Sequence, residues 1–484
     1  MKTSLIGSIG KHFVLAVILA ASISTITNAQ GSLFSAAVHY GAGNGPAFVF
    51  LADYDNDGYI DIATANIISD DVSILMNNGN GTFASAVDYM VVDGPTAIFS
   101  ADFDNDSSLD LACTNINSNQ ISVLLNNGDG TFSSAVNYFV GFGPAAVSSA
   151  DYDNDGYKDL AVTNITQNNV SILFNNGDGT FAAAINYGVG DEPNSIFSAD
   201  LNGDTAIDLA VTNFNSDNIS VLLNNGDGTF ATAVNYGVGD GPNAVFSADY
   251  DKDNDLDLVI SNYNSDSISV LFNDSNGTFA AAINYPVGNG PDGVYSADYD
   301  NDGDTDIAIV NDFTNNVSIL YNDSTGAFGT ADNYATGARP FDVSSADLDN
   351  DGDIDLATAN FATDNVSILI NLTNDDDDGD GVLNMDDNCP TVFNPDQENT
   401  DGIGPGDACC CFLVRGDCNG DGDDANILDL TYLVDRIFRG GSAVGCPIEG
   451  DCNSDGDSGN ILDLTFLVDR IFRGGPGPGD CPQF

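Results

Sequence analysis

The distribution of apolar and polar residues repeats along most of the chain. Phenylalanine, tyrosine and proline each recur seven times at a step of 49 residues. The copies are Phe34, Phe83, Phe132, Phe181, Phe230, Phe279 and Phe328; Tyr40, Tyr89, Tyr138, Tyr187, Tyr236, Tyr285 and Tyr334; and Pro46, Pro95, Pro144, Pro193, Pro242, Pro291 and Pro340. A constant step without insertions indicates a tandem array of one structural unit.

Each unit contains four short segments with the alternation and β-branched content of strands. In the second copy these segments are Thr96–Ala101, Leu109–Thr114, Ile121–Leu125 and Ala135–Tyr138. An Asn-Gly pair, Asn127-Gly128 in this copy, separates the third and fourth segments and is typical of a hairpin turn. Four strands per unit at this period predict a propeller blade. The predicted fold class is therefore mainly β, with a seven-bladed β-propeller.

The two ends of the array are complementary. The last copy has predicted strands at Asp342–Ser345, Asp355–Ala359 and Val366–Ile370, but no fourth strand. The first copy is preceded by an unpaired fourth-strand pattern, Phe34–Tyr40. We expect this N-terminal strand to complete the last blade, because a closed ring leaves fewer exposed strand edges. The propeller is assigned to residues 30–373.

Between the first two strands of every unit lies the pattern Asp-x-Asp-x-Asp-x-x-x-Asp. Carboxylates that alternate in a tight loop point inward, and such a set of hard oxygen atoms suits Ca²⁺. The predicted ligands, at loop positions 1, 3, 5 and 9, are Asp53, Asp55, Asp57 and Asp61; Asp102, Asp104, Asp106 and Asp110; Asp151, Asp153, Asp155 and Asp159; Asp200, Asn202, Asp204 and Asp208; Asp249, Asp251, Asp253 and Asp257; Asp298, Asp300, Asp302 and Asp306; and Asp347, Asp349, Asp351 and Asp355. We expect about seven structural Ca²⁺ ions. Binding should be weaker where Ser107 and Asn254 replace the glycine that eases the turn.

With these loops, the repeats resemble FG-GAP/VCBS repeats, the calcium-loop blades also found in integrin alpha-subunit propellers. The resemblance covers most of the chain. It implies a secreted or surface-bound platform for adhesion or for carbohydrate or protein recognition, and it identifies no ligand.

The end of the propeller opposite the calcium loops is the predicted binding face. Variable aromatic and basic residues occur there at Phe142, Phe214, Tyr263, Phe313, Phe361 and Arg339. These side chains could stack on a sugar or fill a pocket of a protein partner, or they could simply cover the loops.

The composition changes after Asn371. Residues 374–411 contain an Asp-rich series that resembles a thrombospondin type 3 repeat; a plain acidic linker is the alternative. The resemblance implies that Cys389 pairs with Cys409 and that one or two Ca²⁺ ions bind. The implied ligands are Asp376, Asp378, Asp380 and Asp387.

Residues 412–484 contain a duplicated segment with a step of 34 residues. Each copy has an Asp-rich loop followed by an amphipathic helix pattern. The arrangement resembles the paired loop–helix halves of a dockerin type I module, which implies a cohesin-like partner domain and two Ca²⁺ ions. The implied ligands are Asp417, Asn419, Asp421, Asp423 and Asp429, and Asp451, Asn453, Asp455, Asp457 and Asp463. Cys418 with Cys446 and Cys452 with Cys481 have parallel spacings, but the connectivity of the tail stays open.

Charge and the N-terminus restrict the partners and the compartment. The chain has 73 acidic residues against 10 Lys and Arg, for a net charge of −63. Nucleic acid is therefore excluded as a partner, because phosphate binding needs basic patches. Residues 1–29 have the basic start, the apolar run Phe13–Ala21 and the small-residue cleavage site of a secretory signal. We predict a secreted or cell-surface protein, with no membrane span in the mature chain and with disulfides permitted. The dockerin resemblance implies that its origin is bacterial.

Few side chains suited to catalysis are present. The sequence has two histidines and no tryptophan, and no Ser-His-Asp arrangement is visible. Cys113 occupies a strand position and is predicted to be a buried thiol. Because no blade carries an insertion, we predict a non-catalytic protein with no catalytic residues and no cofactor besides Ca²⁺. The alternatives are a polysaccharide lyase or hydrolase on a propeller scaffold, and a structural surface-layer or matrix component.

Overall fold

The computed structural model describes residues 33–373. The predicted signal peptide, the thrombospondin-like and dockerin-like segments, and their cysteines and calcium ligands lie outside these residues.

The described residues form 28 strands. In chain order these are β1 (Val38–Gly41), β2 (Pro46–Ala52), β3 (Asp61–Asn66), β4 (Asp71–Leu75), β5 (Val87–Met90), β6 (Pro95–Ala101), β7 (Asp110–Asn115), β8 (Gln120–Leu124), β9 (Val136–Phe139), β10 (Pro144–Ala150), β11 (Asp159–Asn164), β12 (Asn169–Leu173), β13 (Ile185–Gly188), β14 (Pro193–Ala199), β15 (Asp208–Asn213), β16 (Asn218–Leu222), β17 (Val234–Gly237), β18 (Pro242–Ala248), β19 (Asp257–Asn262), β20 (Ser267–Leu271), β21 (Ile283–Pro286), β22 (Pro291–Ala297), β23 (Asp306–Asn311), β24 (Asn316–Leu320), β25 (Asp332–Ala335), β26 (Pro340–Ala346), β27 (Asp355–Asn360) and β28 (Asn365–Leu369). In the second blade, each strand boundary lies within one residue of the prediction.

The strands form seven antiparallel four-stranded sheets, one for each blade. Six sheets take their strands in sequence order, and the seventh has the order β1-β28-β27-β26. In that sheet Val38 pairs with Ile368, and Tyr40 pairs with Val366. The predicted closure of the ring by the N-terminal strand is confirmed.

The hydrophobic core lies between neighbouring blades. The second strand of every blade is buried along its whole length, whereas the outer strand is mostly exposed. Phe132 shows how the blades interlock, because its ring packs edge-on against Tyr54 and Tyr89 of the preceding blade at centroid distances of 5.6 and 5.4 Å. Such aromatic pairs contribute about 0.5–1.5 kcal/mol beyond the area that they bury.

The one cysteine and the one histidine among residues 33–373 both lie on strands. Cys113 is fully buried on β7 and is a free thiol, and burial raises the pKa of its side chain. His39 lies on the exposed strand β1, where its Nδ1 is 3.0 Å from Ser367 Oγ. Within residues 33–373 there is no helix of the length and hydrophobicity that crossing a bilayer requires.

Candidate functional site

One end of the propeller carries the seven acidic loops. In the second loop, Asp102 accepts backbone N–H groups from Asp106 and Ser107 at 3.1 and 3.0 Å. Asp104 accepts from Asp106 at 3.2 Å, and Asp106 accepts from Ser108 at 2.8 Å. These bonds fold the loop tightly and keep the carboxylates on its inner side.

The closing acid of each loop is fixed by the blade itself. Asp110 accepts from the backbone N–H of Phe103 through Oδ2 and from that of Asn126 through Oδ1, both at 2.8 Å. Burial raises the pKa of Asp110 to about 7. The two backbone donors act to lower this pKa, and the charges of Asp104 and Asp106 act to raise it.

Equivalent acids in the other six blades have pKa values raised to between about 6 and about 8. Each loop thus gathers several carboxyl groups, and a cation contributes to their compensation: Lys252 of the fifth loop, which pairs with Asp304 of the sixth.

Hydrogen bonds also link each loop to the next blade. The Asn126 side chain donates to the backbone carbonyl of Tyr54, in the loop of the preceding blade, at 2.8 Å. The same bond closes the ring, where Asn77 donates to the carbonyl of Leu348 at 2.7 Å. A loop that changes conformation would therefore disturb the interface between two blades.

The donor chemistry of the loops fits a hard divalent cation. In several loops, three carboxylates offer oxygen atoms that all lie within 4.8 Å of one another. These groups include Asp53, Asp55 and Asp57; Asp102, Asp104 and Asp110; Asp151, Asp153 and Asp159; Asp249, Asp251 and Asp257; and Asp298, Asp300 and Asp302. Asp251 Oδ1 and Asp298 Oδ1 are buried without a hydrogen-bond partner. These atoms belong to the fifth and sixth loops, and a cation bound in each loop would satisfy them.

The sixth loop position requires a left-handed backbone. Four blades have glycine there, with φ between 86° and 98°. Ser107 and Asn254, both recognised in the sequence, adopt φ values of 75° and 74°. Thr205 also adopts a φ of 75°. The replacement of glycine at this position was not predicted to weaken the fourth loop. The signal was present, since the fourth loop carries its glycine two positions earlier, at Gly203. A β-branched residue in this region is strained.

The opposite end of the propeller has a cavity of about 200 Å³ on the propeller axis, to which all seven blades contribute. Its lining comes from residues around each repeated proline. In three blades the residue that follows the second strand also contributes: Ile67, Phe214 and Tyr263. We call this cavity the channel mouth.

The channel mouth breaks the repeat symmetry. The residue directly after the repeated proline is Ala47, Thr96 or Ala145 in the first three blades. In the next three blades it is Asn194, Asn243 and Asp292, and in the last it is Phe341. The side formed by blades 1 to 3 is therefore largely apolar, and the side formed by blades 4 to 7 is polar and aromatic.

An ion pair organises part of the polar side. Arg339 donates through Nε and Nη2 to the two carboxylate oxygens of Asp312, both at 2.7 Å. The hydroxyl of Tyr263 donates to the same carboxylate at 2.8 Å. The Arg339 guanidinium also lies 5.2 Å from the ring centroid of Phe341 and 5.6 Å from that of Phe361. This arginine is accordingly held on several sides.

Two further carboxyls lie beside this pair. Asp292 accepts from the side chain of Asn243, which itself accepts from Asn194 at 2.8 Å. Asp342 accepts the backbone N–H of Val49 from the first blade at 3.1 Å. Burial raises the pKa of Asp342 to about 8. Burial, and then the charges of Asp312 and Asp342, raise the pKa of Asp292 well above its ordinary value.

The backbone is strained at two points of this end. Five blades have glycine directly before the repeated proline, with φ between 67° and 82°. Glu192 and Arg339 occupy this position in the other two blades, at φ values of 60° and 56°. Strain of this kind costs about 1–3 kcal/mol and is concentrated at functional sites. Both residues line the channel mouth.

The predicted binding face and the observed cavity agree in part. Phe214, Tyr263 and Arg339 line the channel mouth. Phe361 packs beside it, against Phe341 at a centroid distance of 4.7 Å. Phe142 and Phe313 are half exposed and do not belong to the lining.

Five polar lining residues were not predicted from the sequence: Glu192, Asn194, Asn243, Asp292 and Asp342. A column-by-column comparison of the seven copies would have found them, because they depart from alanine, glycine or phenylalanine at the positions next to the repeated proline.

Comparison with known proteins supports the assignment of the repeats. The FG-GAP-like repeat matches residues 53–113, 102–162, 151–211, 200–260, 249–309 and 298–358. No curated protein matches the chain.

Solved structures that are similar to this chain include two that share the fold at TM-scores above 0.5 and a third with a lower TM-score. A streptogramin B lyase is 14% identical, with 71% of this chain and 100% of that chain covered and a TM-score of 0.52. BBS1N in complex with ARL6DN is 12% identical, with 70% and 97% covered and a TM-score of 0.52. An Agrocybe aegerita lectin specific for non-reducing terminal N-acetylglucosamine is 22% identical, with 62% and 90% covered and a TM-score of 0.45.

The prediction that the protein is not an enzyme needs correction. It relied on intact repeat symmetry, but substitutions at the channel mouth break that symmetry without any insertion. The same fold also occurs in a lyase, so a regular propeller does not exclude catalysis. At this level of identity the likeness shows the fold alone.

Because the repeat match extends over more than half of the sequence, the chain belongs to the FG-GAP-like repeat family.

Proposed function

We propose that the protein is an exported, calcium-stabilised propeller that binds a carbohydrate or protein ligand at the channel mouth. The observation that carries this proposal is the asymmetric cavity, in which all the charged and amide side chains of the lining come from four of the seven blades, the fourth to the seventh. A purely structural ring has no need of such asymmetry. Concave sites with an apolar lining and a few convergent polar groups are typical of ligand binding.

In this proposal, Ca²⁺ ions in the seven loops hold the scaffold. The loop carboxylates would supply the ligands, and the ions would compensate charge that otherwise repels within each loop. The tail would bind further Ca²⁺ and attach the propeller to a cohesin-like partner, as the dockerin resemblance implies. Export rests on the secretory pattern of residues 1–29.

A second candidate function is an enzyme that acts on polysaccharides, as a lyase or a hydrolase. The observation that favours it is the pair of carboxyls at the channel mouth, Asp292 and Asp342, whose pKa values are both raised. A carboxyl that stays protonated near neutral pH is suited to general acid catalysis. Turnover of a polysaccharide panel in the presence of Ca²⁺ distinguishes this candidate from binding alone.

The test is a glycan-array and cell-surface binding screen of the full-length protein, with Ca²⁺ and with EDTA. The proposal expects a calcium-dependent ligand whose binding is lost in Tyr263→Ala, because Tyr263 lines the cavity. Phe313→Ala should weaken binding less, since Phe313 acts only by packing against Tyr263 at 5.7 Å. Phe142→Ala is the matched control, an exposed aromatic outside the lining. Equal binding by all three variants would place the site elsewhere.

A further inference from the structure

The channel mouth contains a directed chain of hydrogen bonds. Asn194, Asn243 and Asp292 occupy the same repeat position in three successive blades. The amide of Asn194 donates to Asn243 Oδ1, and the amide of Asn243 donates to Asp292 Oδ1. Each amide is thereby held in one orientation, and the chain ends on a carboxyl. The cavity thus has fixed polar groups along one arc.

A second carboxyl lies directly beside the end of this chain. Gly293 follows Asp292, and a Cβ placed on Gly293 would lie 2.7 Å from Cα of Asp342 and would also collide with Asp342 Oδ1. Glycine is therefore required for Asp342 to approach so closely. The carboxyls of Asp292 and Asp342 face one cavity from adjacent blades.

Of these two carboxyls, Asp292 lies within reach of the Arg339 charge, which acts to lower its pKa against the larger effect of burial, and Asp342 is bound by the backbone N–H of Val49. Of the described residues that line the channel mouth, one is cationic, Arg339. Its guanidinium is already bound bidentately to Asp312 and packed against two phenylalanine rings. Its charge is consequently neutralised locally. A cationic group that entered the cavity would meet Asp292 and Asp342 without strong repulsion from this arginine.

The remaining walls suit a sugar ring. Phe48, Phe341, Phe214 and Tyr263 supply apolar faces, and Asn194 and Asn243 supply amides for hydroxyl groups. The volume of about 200 Å³ is below the range typical of drug-sized ligands, so it suits a single ring better than an extended chain. Anionic sugars are disfavoured because the cavity already carries excess carboxyls.

We propose that the channel mouth binds a terminal amino sugar, with its protonated amine between Asp292 and Asp342 and its ring against the aromatic wall. This inference rests on the proposed ligand-binding function and specifies its ligand class. The protonated amine would favour the ionised form of both carboxyls, whose pKa values burial raises, and the oriented amides of Asn194 and Asn243 would bind ring hydroxyls.

The test is calorimetry of the full-length protein in saturating Ca²⁺ with a glucosamine tetramer. The comparison ligands are its fully N-acetylated form, a glucose tetramer and a lysine-containing peptide. N-acetylation removes the charge but keeps the ring, so binding should weaken by about tenfold or more, as loss of a charge-assisted contact does. Asp292→Asn and Asp342→Asn should each cause a similar loss. Added salt should weaken binding of the glucosamine tetramer and leave any binding of the two neutral tetramers unchanged.

Asp93→Asn is the control variant. Asp93 is an exposed acid at the same end of the propeller, outside the lining, where it accepts a hydrogen bond from Asn117 at 3.1 Å. This variant should bind the glucosamine tetramer as the parent does. Thermal unfolding of all variants in Ca²⁺ shows that each is folded.

Three outcomes would overturn the inference. If the N-acetylated or glucose tetramer binds as tightly, and Asp292→Asn still weakens it, the site takes neutral sugars and the proposed function survives. If the peptide binds as well as the sugar does, the amine matters but the ring does not. If no ligand binds here and none is found in the wider screen, the proposed function fails as well.

Discussion

Arg339 of the seventh blade binds Asp312 of the sixth through two parallel hydrogen bonds of 2.7 Å. The Asp312 side chain is fully buried, whereas that of Arg339 is 28% exposed. The carboxylate therefore depends on the arginine for its charge compensation. This bond joins two blades at the channel mouth and fixes the edge of the cavity.

Removing the arginine should destabilise the protein strongly. In Arg339→Gly the buried carboxylate loses its partner, which typically costs about 3–5 kcal/mol. Glycine is the informative substitution, because five other blades carry it at this position and it relieves the positive φ. Denaturant unfolding in saturating Ca²⁺ measures the change. The double variant Arg339→Gly/Asp312→Asn should recover part of the loss. A loss below about 1 kcal/mol for the single variant would show that the pair contributes no more than an exposed one.

Asp342 should make stability fall as the pH rises. Its pKa is about 8 in the folded protein, against an ordinary value of 3.8. Between these values the folded state holds a proton that the unfolded state lacks, so unfolding becomes easier with increasing pH. The loss of stability caused by ionising Asp342 is absent below the ordinary pKa of 3.8 and is complete above the folded-state pKa of about 8. Asp292 and Tyr295 are close enough for the charge of Asp342 to raise their pKa values, and Arg339 lines the same cavity.

The comparison that isolates this effect is Asp342→Asn against the parent. The melting temperature of the parent should decline between pH 5 and pH 8.5, at constant saturating Ca²⁺, more steeply than that of the variant. Asparagine keeps an oxygen that can accept from Val49. Parallel curves would mean that Asp342 is ionised in the folded protein throughout this range.

The closing strand should be energetically important. Phe34 is 1% exposed and packs against Tyr299 and Tyr334 at centroid distances of 5.9 and 5.2 Å. Phe34→Ala should cost about 3–5 kcal/mol, as truncations of buried phenylalanine do. Val38→Ala, on β1 four residues further along the chain and 53% exposed, should change stability by less than about 0.5 kcal/mol. If the two variants are equally stable, the N-terminal segment does not close the ring in solution.

Calcium removal should lower the melting temperature, and single loops should be separable. Asp104→Ala removes a carboxylate from the group formed with Asp102 and Asp110. Equilibrium dialysis should then detect one Ca²⁺ ion fewer, and the calcium-dependent rise in melting temperature should be smaller. Asp129→Ala, in an exposed hairpin where Asp129 bonds only to Thr131, should leave the stoichiometry unchanged. An equal loss in both variants would argue against a specific loop site.

The regular part of the fold was predictable because one strong signal repeats seven times. The predicted strand Thr96–Ala101 corresponds to β6 (Pro95–Ala101), and the closure by β1 followed from an unpaired segment at each end of the array. Local alternation, Asn-Gly turns and acidic loops all agree within each unit, and such consistency makes a fold readable from sequence.

The channel mouth was harder to predict because its residues interact through the ring. Asp292 and Asp342 lie on different blades and at different repeat positions, and they meet only because β22 and β26 are neighbours and Gly293 leaves room. Apart from Arg339, no single residue there stands out as unusual in the sequence. The asymmetry appears when the seven copies are compared, and the cavity appears only when they are arranged around one axis.

Hydrogen exchange shows directly where the ligand binds. It is measured on the calcium-loaded, full-length protein, with and without the ligand that the binding screen identifies. Binding at the channel mouth should protect residues 192–195, 241–244, 290–294 and 339–343, and should leave the outer strands unchanged. Protection confined to the outer strands or to the acidic loops would contradict the account, because it would place the ligand away from the cavity.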